Sequence, residues 1–156
     1  MKDITPDTLK ETVERLSKKY NFPVKDVFAG KDDYSLPETE KLGLVRRNEI
    51  LIGCNFYNKS HSKKIRLEYR IFDGSKKNFV ASIDGAFEEE RKIIENELSK
   101  VGIAFQTDNP SIEYIEKFLS IYFQAQPKIN EYFRKKEKLE RKKRELEMLY
   151  QISKLM

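Results

Sequence analysis

Nucleophilic and acid–base chemistry would have to start from Cys54 and His61, the single cysteine and single histidine of this 156-residue chain. Cys54 lies in the apolar run Ile50-Leu51-Ile52-Gly53-Cys54, where nothing nearby lowers a thiol's pKa and the sulfur behaves as a small hydrophobe. His61 lies in Asn58-Lys59-Ser60-His61-Ser62-Lys63, a solvated turn by composition. A Ser-His-Asp or Cys-His device would need that histidine oriented by a buried carboxylate, and no candidate stands out. One cysteine forms no internal disulfide, and one His with one Cys makes no structural zinc site within the chain. A metal nuclease would need clustered carboxylates. Leu67-Glu68-Tyr69-Arg70 offers a Glu-x-Arg, but the preceding strand carries no carboxylate after Glu49. Asp32, Asp33, Glu38 and Glu40 lack the oxygen spacing and mid-loop glycine of a calcium loop. The six glycines are scattered and form no phosphate loop. A non-enzymatic protein with no cofactor and no metal is therefore expected.

The elements that hold these residues can be read along the chain. Thr5-Pro6-Asp7 starts a helix, with Thr5 as cap and Pro6 at the first position, and Leu9, Val13, Leu16 and Tyr20 recur at helical spacing. Val24 to Ala29 is assigned a short second helix, and residues 30–48 a loop with a helical turn around Glu38 to Leu42. Three antiparallel strands follow. The first is Glu49–Tyr57, with Ile50, Ile52, Cys54 and Phe56 on one side. The second is Lys64–Phe72, with Ile65, Leu67, Tyr69 and Ile71 opposite Lys64, Arg66, Glu68 and Arg70, and the third is Asn78–Ile83. Asp84 is expected to cap a helix with an acidic first turn and a stripe of Phe87, Ile94, Leu98 and Val101, ended by Gly102. A fourth strand over 103–107 follows, and Asn109-Pro110 starts a helix with the apolar face Ile112, Ile115, Phe118, Leu119, Tyr122 and Phe123. Pro127 is taken to begin a separate last helix, about 40 Å long at 1.5 Å per residue. The expected fold is thus α+β: an N-terminal helix, a three-stranded antiparallel meander plus a fourth strand, packing helices, and a long charged C-terminal helix. Residues 1–127 form one domain and 128–156 an extension.

Charge is unevenly distributed along that order. The chain carries 31 Lys and Arg against 26 Asp and Glu, a net +5, and is 37% charged, where about 25% is ordinary. Residues 51–83 hold seven basic and two acidic groups, residues 84–133 five and ten, and residues 134–144 eight and two. Net charges of +5, −5 and +6 thus fall on the meander, a helix pair and the last helix. Lysine and arginine on one face of a sheet, interleaved with Tyr57 and Phe72, suit a single nucleic-acid strand, although the same charges also solvate a one-sided sheet.

Between Arg134 and Glu145 the only apolar residue is Leu139, so that stretch has no stripe to bury. Glu137/Arg141 and Glu140/Arg144 are expected to pair along it. Leu146, Met148, Leu149, Tyr150, Ile152, Leu155 and Met156 then put an apolar tip on a charged rod. Leaving four of them in water forfeits roughly 6–12 kcal/mol, so the tip should bury against its own domain, another copy or a partner.

The first expectation for function is a binding module contacting nucleic acid, RNA or DNA, or a nucleic-acid-handling protein complex. Its phosphate contacts are Lys63, Lys64, Arg66 and Arg70 on the sheet and Arg134, Lys135, Lys138, Arg141, Lys142 and Lys143 on the helix. The alternative is a protein–protein adaptor or small inhibitor protein, acting as a homo-oligomer or on a partner enzyme through Leu146, Leu149, Tyr150, Ile152 and Leu155. With no apolar leader and no stretch near the ~18 apolar residues of a span, a cytoplasmic protein without membrane contacts is expected.

Overall fold

The computed structural model describes residues 3–34, 49–58, 63–72 and 75–155. Helix α1 (Pro6–Lys19) opens on a reciprocal cap, in which the Thr8 amide donates to Thr5 Oγ1 at 3.1 Å and the Thr5 amide to Thr8 Oγ1 at 2.7 Å. It buries Leu9, Val13 and Leu16. Asn21, at φ 52°, then reverses the chain.

Five strands follow in a meander, β1 (Val24–Tyr34), β2 (Glu49–Asn58), β3 (Lys64–Phe72), β4 (Lys76–Asp84) and β5 (Gln106–Thr107), each antiparallel to its neighbour in the order β1-β2-β3-β4-β5. The expected short helix over 24–29 is corrected to strand, as are residues 30–34. The cause is a β-bulge. Lys25 pairs with Tyr57 and Phe28 with Asn55, so Asp26 and Val27 together oppose Phe56. Asp26 takes φ 53° there, which breaks the period-two pattern that would have announced a strand. The expected turn over 38–42 and His61 lie outside the described residues.

All the helices cover one face of the sheet. Ile52, Cys54 and Phe56 on β2, Ile65 and Leu67 on β3, and Phe79 and Ala81 on β4 are buried under them. Helix α2 (Glu88–Ser99) adds Ile94 and Leu98. Three expectations about this region change. Phe87 is the N-cap residue, with no side-chain cap bond, while Asp84 ends β4 and pairs with Arg66 instead. Phe87 and Val101 are exposed because they lie just beyond the two ends of α2 rather than on its stripe. The last strand shrinks to two residues, Ile103 being used instead to close the helix, where its amide donates to the Leu98 carbonyl at 3.0 Å beside Gly102 at φ 72°.

Helix α3 (Ile112–Leu155) is a single element of 44 residues running through Pro127, which corrects the expected break there. Pro127 withdraws one backbone donor and faces solvent. Tyr122, Phe123, Ala125, Gln126 and Ile129 around it are all buried, so packing holds both halves in line. The Gln126 side-chain amide also donates to the Tyr122 carbonyl at 3.0 Å. Every residue of the expected stripe from Ile112 to Phe123 is buried.

Glu90 and Tyr122 each bring into this core an atom without a hydrogen-bond partner among the described residues. Glu90 is fully buried, with Oε2 accepting from the Lys63 ammonium and Oε1 meeting no hydrogen-bond donor among the described residues. The Tyr122 hydroxyl is likewise buried without a partner among them. Burial, reinforced by the charge of Glu90, pushes its phenol well above the usual range. Tyr122→Phe removes a desolvated hydroxyl that makes no bond, so it should be neutral or stabilise by up to about 1 kcal/mol. Thermal unfolding checks this, and a loss of more than about 1 kcal/mol would reveal a bond to that oxygen.

Candidate nucleic-acid interface

The face of the sheet that the described helices leave open is defined by cross-strand register, because directly opposed residues share a side. One row across it is Lys25–Tyr57–Lys64–Asp84, the next Phe28–Asn55–Arg66–Ser82, the next Gly30–Gly53–Glu68–Val80, and then Leu51–Arg70–Asn78. None of these belongs to the buried core. Alternation along β3 places Lys64, Arg66, Arg70 and Phe72 together here, as the sequence indicates.

Phe28 is the residue that sequence reasoning missed. It is 70% exposed on this face, on the diagonal from Tyr57, and its ring lies alongside Gly30, where a methyl group would sit 3.5 Å from Phe28 Cε1. Two aromatic side chains therefore stand on an open sheet with Lys25, Lys64 and Arg66 as their cross-strand or diagonal neighbours. The signal that could have found Phe28 is the alternation Val27, Ala29 against Phe28, Gly30, which holds only from the bulge onward.

The cations of this face differ in how far they are committed. Arg66 pairs with Asp84 at 2.9 Å and Arg70 with Glu68 at 2.9 Å, each arginine being about half exposed. These are surface contacts worth about 0–1 kcal/mol, weak enough for a phosphate to replace the carboxylate. Lys63 belongs to the fold instead, since its ammonium sits on buried Glu90.

The second basic block stands apart. Beyond Phe133, which is half-buried, every described residue of α3 except Lys136 is exposed, so residues 134–155 project from the domain for about 33 Å. Lys135 pairs with Glu131 at 3.2 Å and Arg141 with Glu137 at 2.8 Å, while Arg134, Lys138, Lys142 and Lys143 have no ion pair among the described residues. The expected Glu140/Arg144 carboxylate pair is replaced by a bond from Arg144 Nε to the Glu140 carbonyl at 3.4 Å. Between the two blocks stands the acidic first turn of α2, where Glu89 meets Lys136 at 3.3 Å and Glu90 holds Lys63. The tip residues Leu146, Leu149, Tyr150, Ile152 and Leu155 are 50–88% exposed.

Of the groups considered for catalysis, Cys54 and Glu68 are among the described residues. Cys54 is buried in the core, and burial, with Glu14 adding to it, pushes its thiol up to about 12, so it is no nucleophile at neutral pH. Glu68 is engaged with Arg70. Among the described residues no three His, Cys, Asp or Glu side chains come together as a metal site, and no helix is long and apolar enough to cross a membrane. Comparison with protein-family models, with curated proteins and with solved structures finds no significant match.

Proposed function

We propose that this protein is a binding module for single-stranded nucleic acid that works through the open face of its sheet. The observation that carries the reading is Phe28, exposed beside Tyr57 on a sheet face that none of the described helices covers, with Lys25 and Lys64 in the adjoining row. Bases stack on the rings and phosphates meet Lys25, Lys64, Arg66 and Arg70, a combination that binds without reading sequence. The face runs along β3 for about 27 Å toward Phe72 and Lys76, which border a groove of about 930 Å³. That length suits a short single strand. The cations of the projecting helix, Arg134, Lys135, Lys138, Arg141, Lys142 and Lys143, offer further phosphate contacts.

Fluorescence anisotropy with labelled single- and double-stranded oligonucleotides tests this. With about four phosphate contacts, single-strand affinity should fall roughly fifty-fold between about 50 and 200 mM salt. Phe28→Ala should weaken it about five-fold or more, since one base stack contributes about 1–3 kcal/mol. No binding at low salt removes the proposal. Loss on Lys138→Glu/Lys142→Glu, with Phe28→Ala unaffected, moves the site from the sheet to the helix.

A further inference from the structure

The projecting half of α3 gathers cations on one flank. At about 100° per residue, Arg134, Lys135, Lys138, Arg141 and Lys142 fall within an arc of about 120°. Glu131 and Glu145 bound this arc at its two ends, whereas Glu137 and Glu140 lie off it, Glu137 meeting Arg141 at the arc's edge at 2.8 Å. Arg134, Lys138 and Lys142 have no ion pair among the described residues. They repeat at i, i+4, so like charges stand about 6 Å apart along the axis, an arrangement that weakens a helix. A flank needed only to stay wet gains more from alternating signs.

Ile129, Phe133 and Lys136 mark the side of this helix that is turned to the domain: the first is buried, the second packs on Phe87 and the third meets Glu89. The basic arc is centred about 170° away from them. It therefore faces outward, while the open face of the sheet points away from all the helices. The acidic first turn of α2, Glu88 to Glu90, stands between the two surfaces. One short strand does not lie on both.

We propose that the outward flank of α3 is a second nucleic-acid site, separate from the sheet face, and that its ligand is double-stranded DNA. No residue from 134 to 144 is aromatic, so bases have nothing to stack on and the contacts are to phosphates, without reading sequence. A duplex presents one phosphate per ~1.7 Å of its axis, close enough for each cation of the arc to find one. The helix is about 10–12 Å across and stands clear of the domain, which matches the ~12 Å major groove of B-form DNA. Seated flank first, Arg134 and Arg141 meet one phosphate wall and Lys135 and Lys142 the other. The site stands on α3 alone. That a duplex and a single strand are held at once, as where a duplex ends in a single-stranded extension, rests on the preceding reading of the sheet face.

Anisotropy of a labelled duplex of about 20 base pairs and of a non-complementary single strand of about 12 nucleotides, each titrated with the full chain, tests this. With the three unpaired cations engaged, duplex affinity should fall roughly forty-fold between about 50 and 200 mM salt. Lys138→Glu/Lys142→Glu removes two phosphate contacts, so it should weaken duplex binding about ten-fold or more and cut the slope of log affinity against log salt by about 1.8. Circular dichroism and single-strand affinity should stay as they were, and Phe28→Ala should do the reverse to the two ligands. Lys143→Glu, on the other side of the helix, should change duplex affinity by no more than about two-fold. Saturating duplex should leave the labelled single strand bound. No duplex binding at low salt overturns the proposal and leaves the flank to an acidic protein surface. Displacement of the single strand by the duplex overturns it by showing one shared site, and equal losses from Lys143→Glu and the double variant overturn it by showing a diffuse attraction. Failure of the sheet reading looks different: single strands then do not bind or ignore Phe28→Ala, while the duplex keeps its dependence on Lys138 and Lys142, which upholds the flank.

Discussion

Replacement of Lys63 by alanine should destabilise the protein by about 3–5 kcal/mol, a large share of the stability of a domain this size. The lysine side chain is 17% exposed and its partner Glu90 is fully buried, with one carboxylate oxygen already lacking a donor among the described residues. Removing the lysine leaves an uncompensated charge beneath the helices, beside the apolar ring of Tyr122. The reverse variant, Glu90→Ala, should cost less, because the lysine side chain is long and its end already reaches solvent. The double variant Lys63→Met/Glu90→Leu should recover most of the loss, since a buried ion pair replaced by apolar groups of similar volume is often neutral or better. Urea unfolding of the three variants measures this cycle. A cost below about 1 kcal/mol for Lys63→Ala would mean that water screens the pair.

Phe118→Ala should cost a similar amount, about 3–5 kcal/mol. The ring is fully buried, with centroids 6.3 Å from Phe79 on β4 and 5.6 Å from Phe105, so it is where α3 is fastened to the sheet. Its ring neighbours belong to a strand and to the loop before β5 and cannot close the void together. Phe28→Ala makes the instructive contrast. Phe28 is 70% exposed, and its removal should change stability by no more than about 0.5 kcal/mol while weakening nucleic-acid binding. Denaturant midpoints of the two variants separate a residue that builds the protein from one that serves it. A Phe118→Ala protein within about 1 kcal/mol of the parent would show that the space between α3 and the sheet collapses freely.

Local chemistry decided which parts of this fold could be read from the chain. The Thr5-Pro6 start of α1, the alternation of β3 and the apolar stripe from Ile112 to Phe123 are each complete within one stretch of residues, and each stands where expected. β1 was illegible because its pattern is interrupted by two residues that face a single partner on β2, a fact that exists only once the strands have paired. Pro127 misled for a similar reason. Proline ends an isolated helix, and only the burial of Tyr122, Phe123 and Ile129 on both sides of it keeps this one continuous. The proposed site was half visible: Lys64, Arg66, Arg70, Tyr57 and Phe72 follow from β2 and β3, whereas Lys25 and Phe28 come from the misread strand. Lys63 looked like one more surface cation. That its partner is a carboxylate 27 residues away depends on tertiary packing, not on spacing.

The strand order has a consequence for how the protein is born on the ribosome. Each strand pairs only with its neighbour in sequence, so the meander can zip up as successive hairpins while the chain is still emerging. Its cover cannot. Arg15 of α1 reaches Glu116 of α3 across 101 residues of chain, and the rings that close over Phe56 and Phe79 are Tyr122, Phe123 and Phe118. At about 5–20 residues per second, the sheet's apolar side waits on the order of 2–9 seconds between the end of β4 at Asp84 and the making of Ile129, the last buried residue of α3. A nascent chain of this protein therefore presents a half-covered hydrophobic sheet to the cell between the making of β4 and that of α3, and that interval is when it most needs a chaperone.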